Sequence, residues 1–482
     1  MLMNDTIAAI ATGLSQSGVG IIRISGNDAV EVGNKLFRSP SGKQILKNAT
    51  SHVMKYGFVV DVDKLYNFEN EPANNWKNAV IDESMAVIMK APRSFTGEDT
   101  VEIQCHGGVL VMKKILEIAI KCGARLAEPG EFSKRAFLNG RMDLAKAEAV
   151  IDVIHSQNEY ALKSSVSQLR GDLSEKVKNL RADIIYEIAF IESALDDPEH
   201  ISLDGYTDRL LEKITGLIEK IGGLISTADN GKLIKEGIST VIVGKPNAGK
   251  SSFLNLLVGE ERAIVTDIAG TTRDILQENI RLGDISLNVV DTAGIRDTED
   301  TVEKIGVERA KKYASDADLI IYVVDTSVDL DENDREIIAF LKNKKVIVLL
   351  NKSDLTGVVT EDKISNIFSE ILPDENKPVM IKTSAKAGEG VTEFEDILKE
   401  MFFKGMIQSS NEVMITNLRH KEALQEAFES LKLVKRSVED EMPEDFYSID
   451  LMNAYAALGR IIGEEVDDDL VEEIFSKFCM GK

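Results

Sequence analysis

The residues best suited to chemistry on a phosphorylated ligand are Gly244-Lys245-Pro246-Asn247-Ala248-Gly249-Lys250-Ser251-Ser252. They follow the apolar run Ser239–Val243 and lead into Phe253–Leu257, so the order is strand, glycine-rich turn, Lys-Ser, helix. That is the G-x-x-x-x-G-K-[ST] spacing of a phosphate-binding loop. In such a loop the backbone N–H groups of residues like Asn247, Ala248, Gly249 and Ser252 turn inward at a helix N-terminus and hold phosphates. Lys250 supplies a point charge for the outer phosphates, and the Ser251 hydroxyl is a ligand for Mg²⁺.

Four further stretches follow in the order a GTPase needs. In Thr266-Asp267-Ile268-Ala269-Gly270-Thr271-Thr272 a threonine, Thr272, completes the Mg²⁺ shell. Leu287–Val290 is an apolar run ending in Asp291-Thr292-Ala293-Gly294, where Asp291 faces the Mg²⁺ shell and the Gly294 N–H senses a γ-phosphate. Val346–Leu350 leads into Asn351-Lys352-Ser353-Asp354. A carboxylate at Asp354 accepts from the N1–H and 2-amino groups of guanine, a donor pair adenine lacks. Thr383-Ser384-Ala385-Lys386 supplies a loop under the base. Together these five stretches predict a GTP site. Ile295 stands where Ras-like proteins carry a water-orienting glutamine. Another group must orient the water, and Arg296, Asp297, Glu299, Asp300 and Glu303 are all near; by sequence alone each reads first as a solvated loop residue. Asn247 offers a side-chain carbonyl suited to a monovalent cation.

The elements that must position these residues form a multidomain chain. Residues 1–122 mix strands (Thr6–Ala11, Gly20–Gly26, Val53–Val60, Ser84–Met89, Thr100–Cys105) with helices at Asn27–Phe37 and Val109–Lys121, an α+β domain. The asparagine-rich stretch Asp61–Asn78, holding the only tryptophan, reads as a long surface loop. From 123 to 236 the period is helical, with Leu173, Val177, Leu180, Ile184, Ile188, Ile191 and Leu195 in one stripe that Asp196-Asp197-Pro198 ends. An α/β nucleotide domain of the Ras-like phosphate-loop type occupies 237–402, and helices resume over 403–482. Helical blocks on both sides predict a helical domain with the GTPase domain inserted in it.

Composition limits the partners. The chain has 482 residues, 43% hydrophobic and 29% charged, with a formal charge of −24. Such an acidic surface argues against indiscriminate binding to nucleic acid or an anionic membrane and confines any RNA contact to a local patch. Lys134, Arg135, Arg170, Lys176, Lys178 and Arg181 are basic residues that such a patch would draw on. There is no signal-peptide pattern at Met1–Thr6 and no run of about 20 apolar residues, so a cytoplasmic, membrane-free protein is expected. Cys105, Cys122 and Cys479 are too scattered for a disulfide framework or a zinc cluster. Cys105 and His106, adjacent on a strand, point to opposite faces.

Beyond these motifs the whole chain resembles the MnmE (TrmE) family of tRNA modification GTPases. The resemblance rests on Gly18–Gly26, Ser94-Phe95-Thr96-Gly97-Glu98-Asp99, His106-Gly107-Gly108, Glu128–Arg141 and Phe478-Cys479-Met480-Gly481-Lys482. Thr12–Ser17 departs from the proline-glycine-rich turn that members often carry there. The resemblance implies an N-terminal folate-binding and dimerisation domain, with 5-formyl-tetrahydrofolate held by Arg23, Glu102, Arg141 and Lys482. It implies K⁺ held by Asn247, Thr266, Ile268 and Thr271 in place of an arginine finger, with Glu303 positioning water and Lys250 and Thr272 serving catalysis. It places Cys479 at the modification site. It also implies a homodimer that works with the FAD-dependent partner MnmG on the wobble uridine of tRNA, installing an aminomethyl or carboxymethylaminomethyl group at C5. A different class of function, a regulatory or ribosome-assembly GTPase switch without modification chemistry, shares the GTP motifs but has no need of the folate residues or the C-terminal cysteine segment.

Overall fold

The computed structural model describes residues 5–66, 75–197, 199–200, 205–259, 277–291, 314–373, 377–403, 413–466, 468–478 and 481. The chain divides into two compact units: residues 1–151, 168–196 and 451–482 in one, 152–167 and 197–450 in the other.

In the first unit, β1 (Ile7–Ile10), β2 (Ser17–Ser25), α1 (Ala29–Leu36), β3 (Phe37–Arg38), β4 (Lys55–Val60), α2 (Val62–Tyr66), β5 (Val80–Met89), β6 (Thr100–Gly107), α3 (Val109–Lys121) and β7 (Arg125–Leu126) follow one another. The strands form one sheet in the order β3-β4-β5-β6-β2-β1-β7, antiparallel except for β1 with β7. Alternation puts Ile22, Ile24, Ile88, Val101 and Ile103 on the face covered by α1 and α3, against Val32, Leu36, Met112 and Ile115. On the other face of β6, Glu102, Gln104 and His106 are partly or largely exposed. The sheet takes in Arg125–Leu126, beyond residue 122, because the Arg125 and Ala127 N–H groups donate to the carbonyls of Thr6, just before β1, and Ala8 within it.

The segment Asp61–Asn78 is not wholly loop: α2 lies within it and a 3₁₀ turn at Asn75–Ala79 takes up its end. Trp76 packs on Phe58, ring centroids 5.6 Å apart, an anchor that polar composition conceals. Helices α4 (Glu131–Leu138), α5 (Leu144–His155), α6 (Glu159–Arg170) and α7 (Asp172–Asp196) come next. The α7 stripe is buried from Leu173 to Ile191, but Ala194 takes the last buried place and Leu195 is exposed.

In the second unit, α8 (Tyr206–Ser226) and α9 (Ala228–Glu236) precede β8 (Ile238–Val243), α10 (Lys250–Gly259), β9 (Gln277–Leu282), β10 (Ile285–Asp291), β11 (Leu319–Asp325), α11 (Glu332–Ala339), β12 (Val346–Asn351), α12 (Glu361–Ile371), β13 (Val379–Lys382), α13 (Val391–Phe403) and α14 (Leu418–Glu439). The sheet order is β13-β12-β11-β8-β10-β9, parallel throughout except for the edge strand β9. Near-continuous apolar strands suit a sheet buried on both faces. Ile242, Leu287, Ile321 and Leu349 pack to one side, and Val241, Val290, Ile320 and Val348 to the other. Helices α8 and α14, which flank the sheet in sequence, pack along each other. The chain returns to the first unit through α15 (Glu444–Ile462) and α16 (Asp468–Ser476), where Val471, Ile474, Phe475 and Phe478 bury against Leu144 and Ala147.

Candidate functional site

In a parallel sheet the carboxyl ends of the strands are where ligands bind, and the second unit brings its motif loops there. The turn between β8 and α10 is shaped by its backbone. Gly244 (φ +150°) lies against the Val323 carbonyl, where a Cβ would stand 2.4 Å from the oxygen. At Gly249 (φ +101°) a Cβ would stand 2.0 Å from Asn351 Nδ2. Only glycine fits either place. Asn247 between them is left-handed (φ +61°), a conformation asparagine tolerates, and its side chain is exposed. The Lys250 ammonium donates to the Gly244 and Lys245 carbonyls, both at 2.8 Å, which holds it over the turn. Ser251 stands exposed in the first turn of α10.

The motif that begins at the end of β12 is tied directly to this turn. Asn351 is buried at the end of β12; its Nδ2 donates to the Ala248 carbonyl at 2.8 Å, and its Oδ1 accepts from Ala385 N–H at 3.4 Å. Ser384 Oγ donates to Asp354 Oδ1 at 2.7 Å and accepts from the Ala387 N–H. That hydroxyl holds the Asp354 carboxyl below the ordinary carboxylate range, so Asp354 is an anion at neutral pH. Lys352 (φ +62°) reaches back to Asp325 at the end of β11, Nζ to Oδ2 2.5 Å. Burial pushes the Asp325 carboxyl up, but the Lys352 and Ser327 bonds outweigh it and the net shift is downward. Asp325 and Thr326, whose N–H and hydroxyl both donate to the Asn351 carbonyl, were not expected from the motifs. Their signal was an apolar strand ending in aspartate, the same pattern that marked Asp291.

A second constellation lies in the first unit. Arg23 and Glu102 are cross-strand partners on β2 and β6, Nε to Oε1 2.8 Å. The Arg23 guanidinium stands 5.4 Å from the Phe95 ring centre and 5.6 Å from that of Phe132. Its Nη1 donates to the carbonyl of Gly481 at 3.1 Å. Gly481 (φ +97°) is pressed against the end of β1, where a Cβ would meet the Ile10 carbonyl at 2.5 Å. Phe132 is placed by α4, which an ionic cluster anchors: buried Arg135 pairs with Asp5 (2.7 Å), Glu131 (2.9 Å) and Glu98 (3.3 Å), and Arg125 pairs with Glu131 at 2.6 Å. Arg141 donates through Nε to the Ser94 carbonyl at 3.4 Å, one residue from Phe95. The structure therefore brings Arg23, Glu102 and Gly481 together and sets Arg141 against the neighbouring Ser94 carbonyl.

Several expected residues lie outside the described ones: Thr266 to Thr272, Thr292, Ala293, Gly294, Glu303, Cys479 and Lys482, together with the side chain of Asp291. Among the basic residues considered for RNA, Arg135 and Arg181 are corrected. Arg135 is buried in the cluster above, and Arg181 is buried between Glu464 and Glu465 and over the Tyr455 ring. Their charges are used internally because burying a guanidinium requires paired carboxylates. Lys134 is bound to Glu472, whereas Arg170, Lys176 and Lys178 are exposed. Cys105 is buried, with burial pushing its thiol up to about 11, and His106 is exposed on the opposite face. Among the described residues no helix is long and apolar enough to cross a membrane.

Two family models match this chain, GTP-binding protein TrmE N-terminus over residues 6–141 and MnmE helical domain over 144–479. Relatives match from end to end. The tRNA modification GTPase MnmE of Lachnoclostridium phytofermentans is 55% identical over 481 residues, covering 100% of both chains. The proteins of the same name from Acetivibrio thermocellus and Alkaliphilus oremlandii are 47% and 45% identical, again over 100% of each chain.

Proposed function

The chain belongs to the MnmE (TrmE) family of tRNA modification GTPases, and on that premise we propose a K⁺-activated GTPase that modifies C5 of the wobble uridine with a tetrahydrofolate one-carbon donor. It is a GTP hydrolase with a phosphate-loop fold, and tRNA is its substrate. In our reading it acts in the cytoplasm as a homodimer, together with the FAD-dependent MnmG, and adds an aminomethyl or carboxymethylaminomethyl group.

The observation that carries the modification chemistry is the Arg23–Glu102–Gly481 constellation. A GTPase that acted only as a switch has no need to seat Gly481 on a paired arginine and carboxylate. The free oxygen of Glu102 suits the donor edge of an aminopyrimidine, and the remaining guanidinium donors of Arg23, with Arg141 and Lys482, suit the anionic glutamyl tail of 5-formyl-tetrahydrofolate. Cys479 belongs to the same C-terminal segment.

On the GTP side, the exposed Ser251 hydroxyl at the head of α10 fits the oxygen set that Mg²⁺ prefers, with Thr272 as its companion. The exposed Asn247 amide fits K⁺, with Thr266, Ile268 and Thr271 as the other ligands. Both cations supply positive charge to phosphate oxygens as negative charge builds there. Lys250 adds to that charge and Glu303 orients the attacking water. Asp354 reads guanine, Asn351 and Lys352 brace the base loop, and Ser384, Ala385 and Lys386 lie under it.

Nucleoside analysis of tRNA from cells lacking this chain tests the reading. Loss of the C5 substituent on wobble uridines, restored by re-expression, is the expected result. Unchanged modification would leave only a switch function.

A further inference from the structure

Outside the motif residues, one side chain of the phosphate loop is held more tightly than its position in the motif requires. Lys245 fills a variable place in the G-x-x-x-x-G-K-[ST] pattern, yet its ammonium lies 2.7 Å from Asp334 Oδ2 and 3.1 Å from Asp331 Oδ2. Both carboxylates belong to the head of α11. Asp331 accepts from the Asn333 and Asp334 N–H groups, and Asp334 returns the bond to the Asp331 N–H. Asp334 is 1% exposed and also accepts the hydroxyl of fully buried Tyr322 at 2.7 Å. The anchor on the α11 side is therefore rigid.

The Lys245 carbonyl, in turn, accepts from Lys250 Nζ at 2.8 Å and from the Ala248 N–H at 3.3 Å. Whatever fixes Lys245 thus fixes the phosphate-reading ammonium and the floor of the turn. At the far end of the same turn the Ala248 carbonyl is held by Asn351. The two clamps meet again through β11, whose end carries Asp325 on Lys352 and Thr326 on Asn351, and whose following loop runs on to Asp331. Phosphate loop, base loop and α11 are thus tied into a ring by these hydrogen bonds and the intervening backbone; within it the Lys245 side chain is 16% exposed, and those of Lys352 (33%) and Asp331 (52%) are open to solvent as well.

We propose that Lys245 is a positioning residue that clamps the entrance of the phosphate loop onto α11 and thereby sets how long the nucleotide stays bound. It does not touch the reacting atoms in this assignment. A loop ordered before the ligand arrives loses less on binding, so opening the clamp appears in the nucleotide dissociation rate.

The test uses the full-length protein loaded with N-methylanthraniloyl-GDP and chased with excess GDP. K245M removes the charge and keeps the aliphatic stem, and it is expected to release the probe about tenfold faster, the effect of losing charged hydrogen bonds at a partly screened site. KM for GTP should rise while kcat at saturating GTP stays within about twofold, the pattern of lost uniform binding. K245R should restore slow release, because a guanidinium reaches the same carboxylates. D331N, on the exposed side of the clamp, should speed release by a smaller factor and add nothing in the K245M background, since both changes open one link. Release from K245M at the wild-type rate, or a fall in kcat without faster release, overturns the proposal.

Discussion

Replacing Asn351 by alanine separates a scaffolding role from base recognition. Asn351 is 2% exposed and makes one strong bond, Nδ2 to the Ala248 carbonyl at 2.8 Å, and longer ones from Ala385 N–H (3.4 Å) and Thr383 Oγ1 (3.5 Å) to its Oδ1. Alanine takes a partner from the buried Ala248 carbonyl and Thr383 hydroxyl and from the half-buried Ala385 N–H, a loss of about 1–3 kcal/mol. The space vacated beside Gly249, where no Cβ fits while Asn351 is present, lets the turn relax and recover part of that loss. Most of the penalty then falls on nucleotide binding, because the ligand must order the turn that Asn351 had ordered in advance. GTP affinity should drop by about 5- to 150-fold, since each 1.4 kcal/mol is a factor of ten. The drop should be equal for GTP and XTP, because both carry the phosphates that the turn holds. Competition of each nucleotide against a fluorescent GTP analogue, on wild type and N351A, measures both numbers. Affinity within twofold of wild type would refute the scaffolding argument, and so would a loss confined to GTP.

Asp354→Asn should do the opposite, inverting the preference from GTP to XTP with little change in the best affinity; unchanged GTP selectivity in the same competition would move base reading elsewhere. Because Ile295 replaces the water-orienting glutamine, GTP turnover in K⁺ should exceed that in Na⁺ by about tenfold or more, roughly 1.4 kcal/mol of barrier; equal rates would remove K⁺ from the site. Arg23→Ala should weaken 5-formyl-tetrahydrofolate binding about 10- to 100-fold by calorimetry, from the loss of charged hydrogen bonds, and leave GTP affinity within about twofold. Retained folate binding would place the pocket away from Glu102 and Gly481. His106 Nδ1 lies 2.7 Å from Asp82 Oδ1, and that bond holds the imidazole above the ordinary histidine value of about 6.5. Its NMR titration midpoint should therefore be raised and should fall back in Asp82→Asn. With the folded-state value raised, the pair contributes to stability in acid and ceases to as pH climbs through that midpoint. An unshifted midpoint in the wild type would dismiss the pair.

Much of the candidate GTP site was legible along the chain because each part of it is local. Directly after a strand, two glycines, Lys250 and Ser251 make a phosphate turn within eight residues, and Asp354 sits three places after the last residue of β12. The α/β alternation of 237–402 and the period of α7 follow from burial on two faces and on one, which the apolar pattern records directly. Local reading missed the helical turns at the two ends of Asp61–Asn78 and the packing of Trp76 on Phe58. It failed also at Arg135 and Arg181, where formal charge said nothing about internal carboxylate partners. It could not see the bonds that join the parts: Asn351 to Ala248 across 103 residues, Lys245 to Asp331 across 86, and Arg23 to Gly481 across 458. Residue types along the chain thus determine which ligand atoms each loop suits. Which loops brace one another is decided only when the sheets bring distant strand ends together, since nothing in the chain's local chemistry encodes a partner that far away.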